Sequence, residues 1–486
     1  MTKSISLDRK WYSRFIGDRS FYKNVLSVAV PIMMQNALAS FVNLLDNIMV
    51  GSLGSEAISG VSISNRFTFI FNLLIFGVMA ACGIFTAQYH GAKNEEGVKS
   101  SFQLKIVLSL AFAALAIAIF ILFDDELIST FLHDSTDTDI DPVLTMGAAK
   151  TYLSIYLIGI VPYVIDQAYA TTSRETGNAL IPMYSSFVAI GVNFVLNAIL
   201  IYGMLGVPAM GVAGAAIATV ISRFASLLFN MIIMHSPKRG FYFTKRVYRS
   251  FKIPKKLLFG VAVKGLPLIF NEGLWSLAVT MQNQAFSVKG LEVVSAIAIA
   301  EVLINLLSVA YLALNSSIAI IVGAQLGAGE IEHAKDTSMK MMTFSLFSSV
   351  IFGGIMAAAS PFFPLLYNTT AAEKALATQL LIVAGIFLPI ASLAHSMYFI
   401  LRTGGAVFST TMMDCGFMWI IGVPVAMLLV HLTPFDIITV YALTRATEIL
   451  KVVFGALLIK RGTWSKRIVE SAEGESPSTP EAVTKA

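Results

Sequence analysis

The chain has 486 residues, of which 56% are hydrophobic and only 13% charged, with a mean hydropathy of +0.75. A soluble domain is nearer about 45–50% apolar and about 25% charged, so this much apolar side chain cannot be hidden in an aqueous core and lipid must solvate much of it. The net charge of +5 is no nucleic-acid signal, because the basic residues fall in connections, and the two cysteines, Cys82 and Cys415, give neither a disulfide framework nor a zinc spacing.

Residues 1–24 are polar and basic and read as a cytoplasmic N-terminal segment, not a cleavable signal peptide. Apolar runs then predict spans near 25–50, 60–88, 101–123, 147–172, 180–203 and 209–234, and a second set near 257–287, 294–325, 338–360, 376–400, 406–430 and 437–459. Backbone groups in hydrocarbon must be hydrogen-bonded within their own segment, so every span is read as a helix. The expected fold is therefore an all-α integral membrane protein of about twelve transmembrane helices. Residues 25–235 form an N-lobe of six spans, 236–256 a linker, 257–460 a C-lobe of six spans, and 461–486 a disordered cytoplasmic tail.

Charge sets the sidedness. Between His235 and Lys256 lie Lys238, Arg239, Lys245, Arg246, Arg249, Lys252 and Lys255 with no acid, and Lys460, Arg461, Lys466 and Arg467 follow the last span. The connection after the third span carries Asp124, Asp125, Glu126, Asp134, Asp137, Asp139 and Asp141, with no Lys or Arg. Basic loops stay cytoplasmic, so both termini and the linker are expected inside and the acidic loop outside. Six is an even number, so both halves start on the same face and are parallel repeats about an axis along the membrane normal, with one cleft between them.

The halves are also alike in sequence. Residues 31–99 and 267–335 share one gapless register with an offset of 236: Pro31 faces Pro267, Gly54 faces Gly290, Gly91-Ala92 faces Gly327-Ala328 and Lys99 faces Lys335. Apolar duplicated chains of this length suit carriers whose halves rock around a shared cavity.

An ionisable group inside a span costs at least about 2.5–3.5 kcal/mol on insertion scales and asks for a reason. Asp46 shares a helical face with Asn43 and Gln35. Such a carboxylate can exchange a proton, bind a hard cation with amide oxygens as co-ligands, or simply hold helices together. Glu272, on the seventh span, faces Asn36 in the register, while Asp46 faces Gln282. Trp275 lies one turn beyond Glu272, an aromatic surface that suits a lipophilic cation. With Asn283 and Glu301 they make the expected C-lobe side of the cavity; pairing between helices is the other reading of Glu301. Asp166 and Gln167 are open to the same two readings. Asn193 and Asn197, at i and i+4, face one way and serve either as helix glue or as oxygen donors to an ion. Arg223, Arg445, Glu448 and Lys451 are read as snorkelling near cytoplasmic helix ends. Pro31 is the candidate hinge below Asp46, a static kink being the alternative, and Gly211, Gly214, Ala215 and Ala218 form a small-residue packing face.

Several stretches resemble one transporter family. Leu45-Asp46-Asn47-Ile48-Met49-Val50-Gly51-Ser52-Leu53-Gly54 resembles the first-helix signature of the multidrug and toxic compound extrusion (MATE) transporters. Ala87-Gln88-Tyr89-His90-Gly91-Ala92 and Ala324-Gln325-Leu326-Gly327-Ala328-Gly329 resemble its repeated motif at the ends of spans two and eight. The run from Gly211 to Thr219 resembles its sixth span; Arg402-Thr403-Gly404-Gly405, Asp414, Met418-Trp419 and Val423-Pro424 resemble its tenth and eleventh. The resemblance implies antiport of sodium or protons against amphipathic, often cationic small molecules by alternating access, with no other cofactor, in a monomer of the bacterial inner (cytoplasmic) membrane. It implies that Asp46 couples the cation together with Asn193, Asn197 and Thr219, with Na+ the possible metal, and that Glu272 is the C-lobe carboxylate. Asn197 stands where some members carry Asp, and Ala391 lies near where the C-lobe acidic partner usually falls. A lipid-linked precursor flippase of the wider superfamily is the alternative, which a strongly positive cavity would favour. No HExxH, GxSxG or Walker loop points to an enzyme.

Overall fold

A computed structural model describes residues 14–132, 141–249 and 251–469, and among them every regular element is helical. The long helices are α1 (Arg19–Gly51), α2 (Ser55–Gly91), α3 (Glu95–Leu122), α4 in two pieces (Pro142–Ile158 and Ile160–Glu175), α5 (Leu180–Tyr202) and α6 (Gly211–His235). The second half gives α7 (Lys255–Ser287), α8 (Leu291–Gly327), α9 (Ile331–Ala359), α10 (Ala371–Thr403), α11 (Val407–Leu432) and α12 (Ile437–Lys460). Ten of these are long and apolar enough to cross a membrane unbroken, and the bent α4 makes an eleventh. Helix α12, at 24 residues, has the length; Arg445, Glu448 and Lys451 in its middle dilute its hydropathy. The predicted spans all fall within these helices or overrun their ends by a few residues. The departures have local causes: helices extend past the apolar run to a cap, such as Asp18, whose side chain accepts from Phe21 N at 2.8 Å.

Helix α4 was expected as one span. It bends by 50° at Gly159, because Pro162 has no N–H to give the carbonyl of Ile158 and its ring crowds that carbonyl. Helix α11 instead absorbs its irregularity in two π-helical turns, Met412–Gly416 and Met418–Gly422, just before Pro424. By contrast α1 and α7 run unbroken through Pro31 and Pro267.

The duplication recurs in three dimensions. Gly54 and Gly290, register mates, both take positive φ (117° and 130°) in the turns α1–α2 and α7–α8. Val25 of α1 packs with Ile318 of α8, while their register mates Val261 of α7 and Cys82 of α2 pack together. Each lobe's first helix thus begins against the opposite lobe. Further along, Met49 and Val50 of α1 join the N-lobe core around Phe71, Phe102 and Tyr156, and Ala278 of α7 packs with Met418 and Val423 of α11. At the axis itself α2 and α8 cross with backbones touching. A Cβ on Gly91 would lie 1.8 Å from the Ala324 carbonyl oxygen, and one on Gly327, its register mate, 1.9 Å from that of Gln88.

The linker and the segment after α12 are folded onto this end of the bundle. Phe243 and Val247 are buried in the N-lobe core, and Gln103 Nε2 donates to Val247 O at 2.7 Å. The segment after α12, expected as the start of a disordered tail, is ordered up to residue 469. Trp464 is buried, Ile468 N donates to Gln88 Oε1 at 2.8 Å, and Val469 packs with Cys82 and Phe85. Its apolar side chains have a groove to enter beside α2, which composition alone could not show. The remainder of the tail, residues 1–13 and the acidic Asp134, Asp137 and Asp139 lie outside the described residues.

Candidate functional site

Helices α1, α5 and α6 bring four of the predicted coupling residues together. Asn197 Nδ2 donates to Asp46 Oδ1 and, at 3.1 Å, to Asn193 Oδ1; Asn193 Nδ2 reaches Thr219 Oγ1 at 3.4 Å. The i, i+4 spacing puts both amides on the face of α5 that meets α1 and α6. The close fit of α5 on α6 follows from Gly214, where a Cβ would lie 2.6 Å from Leu200 O. Asp46 and Thr219 are half-buried, and both Asn side chains are buried. The buried Asn197 Oδ1 has no hydrogen-bond partner. Among the described residues no group of three or more His, Cys, Asp or Glu is placed to hold a metal, so any ion here would be met by one carboxylate plus amide and hydroxyl oxygens. The side chain of Asn43 lies outside the described set.

This cluster borders a cavity of about 570 Å³ between the lobes, within the ~300–1,000 Å³ range of ligand pockets. Asn193 belongs to both. The N-lobe supplies most of the wall, including Gln35, Asn72, Asp166, Arg174, Glu175 and Arg223; the C-lobe contributes Ser316 and Ile320 of α8 and Phe399 and Arg402 of α10. Apolar wall comes from Ile75, Phe76, Met79 and Ile190. The charged lining is mixed, with two carboxylates and three guanidinium groups, not the uniformly positive surface that would have favoured a flippase.

Asp166 both packs helices and lines the cavity: Ser226 Oγ donates to its Oδ2 at 3.0 Å and Asn230 Nδ2 to its Oδ1 at 2.7 Å. Glu175 is ion-paired to Lys105, a wholly buried lysine of α3 that also donates to Thr171 and Thr172. Neither Lys105 nor Arg174 and Glu175 stood out in the sequence; the signal was there in Lys105, a lone ammonium within an apolar run. Arg223 lies mid-helix, not at a helix end, and does not snorkel. Its guanidinium stacks on Tyr156 and Tyr163, 4.0 and 4.8 Å from their centroids, and donates to Tyr156 Oη.

The C-lobe residues singled out in the sequence do not line this cavity. Glu272 Oε1 accepts from Tyr398 Oη at 3.0 Å, with Arg402 Nη1 at 3.9 Å. Trp275 packs in a small apolar cluster with Met418 and Val423. Asn283 Nδ2 donates to Glu301 Oε1 at 2.9 Å, which is the helix-pairing reading of Glu301. Deeper in the lobe, Lys451 is buried against Asp414 at 3.0 Å, and Asn271 Nδ2 donates to the other Asp414 oxygen at 2.9 Å. Lys451 therefore does not snorkel either, and Arg445, also mid-helix, donates to Tyr441 Oη at 2.8 Å. Glu448 keeps a buried Oε2 without a hydrogen-bond partner. An apolar helix gives hydropathy no way to say which of its faces meets another helix and which meets a cavity.

Two pseudo-symmetric six-helix lobes around a polar cleft define a multi-pass membrane transporter. Its relatives say which kind. The MatE family profile matches residues 31–199 and 267–428, starting at the same register position in each half, and the chain belongs to that family. It is 26% identical to the probable multidrug resistance protein YoeA of Bacillus subtilis, over 87% of this chain and 90% of that one. It is 26% identical to the probable multidrug resistance protein NorM of Halalkalibacterium halodurans, over 85% and 88%. The fold matches the Vibrio cholerae MATE transporter VcmN (TM-score 0.82, 18% identity, 92% and 98% coverage). It also matches an outward-facing multidrug resistance MATE transporter of the MOP superfamily (TM-score 0.81, 21% identity, 94% and 98% coverage).

Proposed function

We propose that this protein is a secondary active exporter of amphipathic small molecules, driven by inward movement of sodium ions or protons bound at Asp46. Its relatives are named as probable multidrug resistance proteins. The observation that carries the coupling site is the chain Asp46–Asn197–Asn193–Thr219, in which Asn197 has an unsatisfied amide oxygen and Asn193 reaches the cavity wall. As the amide lies, Asn197 Nδ2 caps the carboxylate. Turning that amide over presents Oδ1 with the carboxylate, Asn193 Oδ1 and Thr219 Oγ1, an all-oxygen set suited to a hard cation. Protonation of Asp46 would weaken the same hydrogen bond by removing the acceptor's charge. Either event alters how α1 is held to α5.

Alternating access is supported by where the lobes touch. The contacts between them described above join the first half of α1 and α7 to the second half of α8 and α2, the end that carries the termini. The other halves of α1 and α7 pack within their own lobes. An ion shifts the equilibrium between open ends only by its differential affinity for the two states. The basic linker supports a cytoplasmic position for the closed end and a place in the inner membrane.

Efflux of a fluorescent amphiphile from proteoliposomes, with sodium and proton gradients imposed separately, tests the reading. Asp46→Asn should abolish gradient-driven efflux while the protein still elutes as folded from size-exclusion chromatography. Gradient-driven transport at the wild-type rate by that variant would remove Asp46 from the mechanism.

A further inference from the structure

We infer that the cargo of the central cavity carries an anionic group, a carboxylate or comparable oxyanion on an apolar frame, held between Arg223 of the N-lobe and Arg402 of the C-lobe. This deepens the transport reading above and rests on it.

The acids of the cavity are already occupied. Both oxygens of Asp166 accept hydrogen bonds, from Asn230 and Ser226, and Glu175 is neutralised by Lys105. The guanidinium groups are not. Each carries five donors. Arg402 is 6% exposed and lines the cavity, yet its buried Nη1 has no hydrogen-bond partner, and Glu272 Oε1 at 3.9 Å is beyond hydrogen-bond reach. That oxygen is held by Tyr398 instead. Arg223 spends one donor on Tyr156, and its buried Nη1 has none to meet. Among the described residues, no carboxylate lies within 4.0 Å of the charged nitrogens of Arg223 or Arg174. The charge on the wall is therefore mixed, with Arg402 ion-paired to Glu272 as Glu175 is to Lys105, and what is left over for a ligand is unpaired N–H donors on Arg223 and Arg402.

Both guanidinium groups lie near aromatic rings. Arg223 lies on Tyr156 and Tyr163. Arg402 sits 5.4 Å from the Phe399 centroid and reaches across the lobe boundary to Phe76 of α2 at 5.5 Å. A planar oxyanion takes two parallel N–H donors from such a fork, while Ile75, Phe76 and Met79 would take its apolar part. A purely cationic amphiphile would leave those N–H donors unpaired. Because the two arginines belong to different lobes, one anion touching both would also hold the lobes in one relative position.

The test is equilibrium binding to the full-length protein in nanodiscs of zwitterionic lipid. Dansyl-phenylalanine is the anionic probe, its methyl ester the neutral isostere and tetraphenylphosphonium the cation. The acid should bind at least tenfold more tightly than the ester, and Arg223→Gln or Arg402→Gln should remove that preference without changing the ester's affinity. Arg→Lys at either position keeps the charge but loses the fork, and should leave an intermediate preference. Equal binding of acid and ester by the wild-type protein would overturn the proposal, and needs no variant to fold. So would a tenfold preference that survives both Gln substitutions. If anionic phosphatidylglycerol in the disc displaces the acid competitively, the oxyanion site stands and its natural source is a lipid headgroup; no displacement assigns it to a soluble cargo. Gradient-driven efflux by Asp46→Asn bears on the coupling reading, and the acid-over-ester preference of the wild-type protein at equilibrium bears on this one, so their failures give different results.

Discussion

Single residues in this protein are costly where they are charged, and several of the buried charges are held in pairs. Lys451 and Asp414 are buried together, with Asn271 completing the carboxylate's shell. Removing one member of such a pair leaves the other charged and unsolvated, at about 3–5 kcal/mol, whereas replacing both with apolar or neutral groups of similar volume is often near neutral. Lys451→Ala should therefore lower the thermal unfolding midpoint in detergent sharply, and Lys451→Met combined with Asp414→Asn should recover most of it. If the double variant is as unstable as the single one, the pair is not what holds α11 to α12. The partnership was hidden in the sequence because the two residues are 37 positions apart and each, read alone, resembles a charge near a helix end. Asp46, by contrast, was legible: one acid in an apolar run with amides on the same face leaves few readings.

Whole helices here are shaped by their prolines in different ways. In α4 the break at Gly159 is visible as a 50° bend. In α1 no break exists, yet Pro31 stands where the helix passes from α8 to the N-lobe core: Val28 and Ile32 pack with Ala313 and Ile320, and Met49 and Val50 with the N-lobe. Pro31 removes one backbone hydrogen bond at that passage. Pro31→Ala restores it and should slow gradient-driven efflux several-fold while leaving cargo affinity unchanged; an unaltered rate would leave Pro31 as a static feature only. Helix positions were legible from the apolar runs, but their ends were not, because the caps lie beyond those runs. The α4 break was not, because Pro162 looks no different in sequence from Pro31, and the neighbours decide whether a proline bends its helix.

At the scale of the whole molecule, the two lobes meet through backbone at the α2–α8 crossing. Adding a side chain there should wedge the closed end apart. Gly327→Leu should raise the labelling rate of a single cysteine at Ala319, in the cavity wall, by a membrane-impermeant thiol reagent applied from the terminal side of oriented vesicles. Labelling no faster than in the parent would mean that the crossing does not seal that side. The sequence register pointed to this contact, since Gly91 and Gly327 are mates, and the twofold arrangement of lobes could be read from it together with the parity of spans. The cavity could not. The sequence placed its C-lobe wall at Glu272, Trp275, Asn283 and Glu301, whereas α4 and α6 provide much of its charged lining. Which polar side chains end up sharing a cleft depends on helix rotation, and in a helix apolar on every side rotation leaves no trace in composition.

A seal made of main chain has one further property. Flexible plugs of long side chains can thin out gradually, letting small ions trickle past before cargo has moved. The α2–α8 contact has nothing to thin: main-chain oxygen abuts glycine twice, in twofold reciprocity about the axis, so parting one side parts the other. Such a junction is either flush or gone. In the proposed ion-driven cycle that guards against short-circuit, which suits bare α-carbons, not bulky residues, at the α2–α8 crossing.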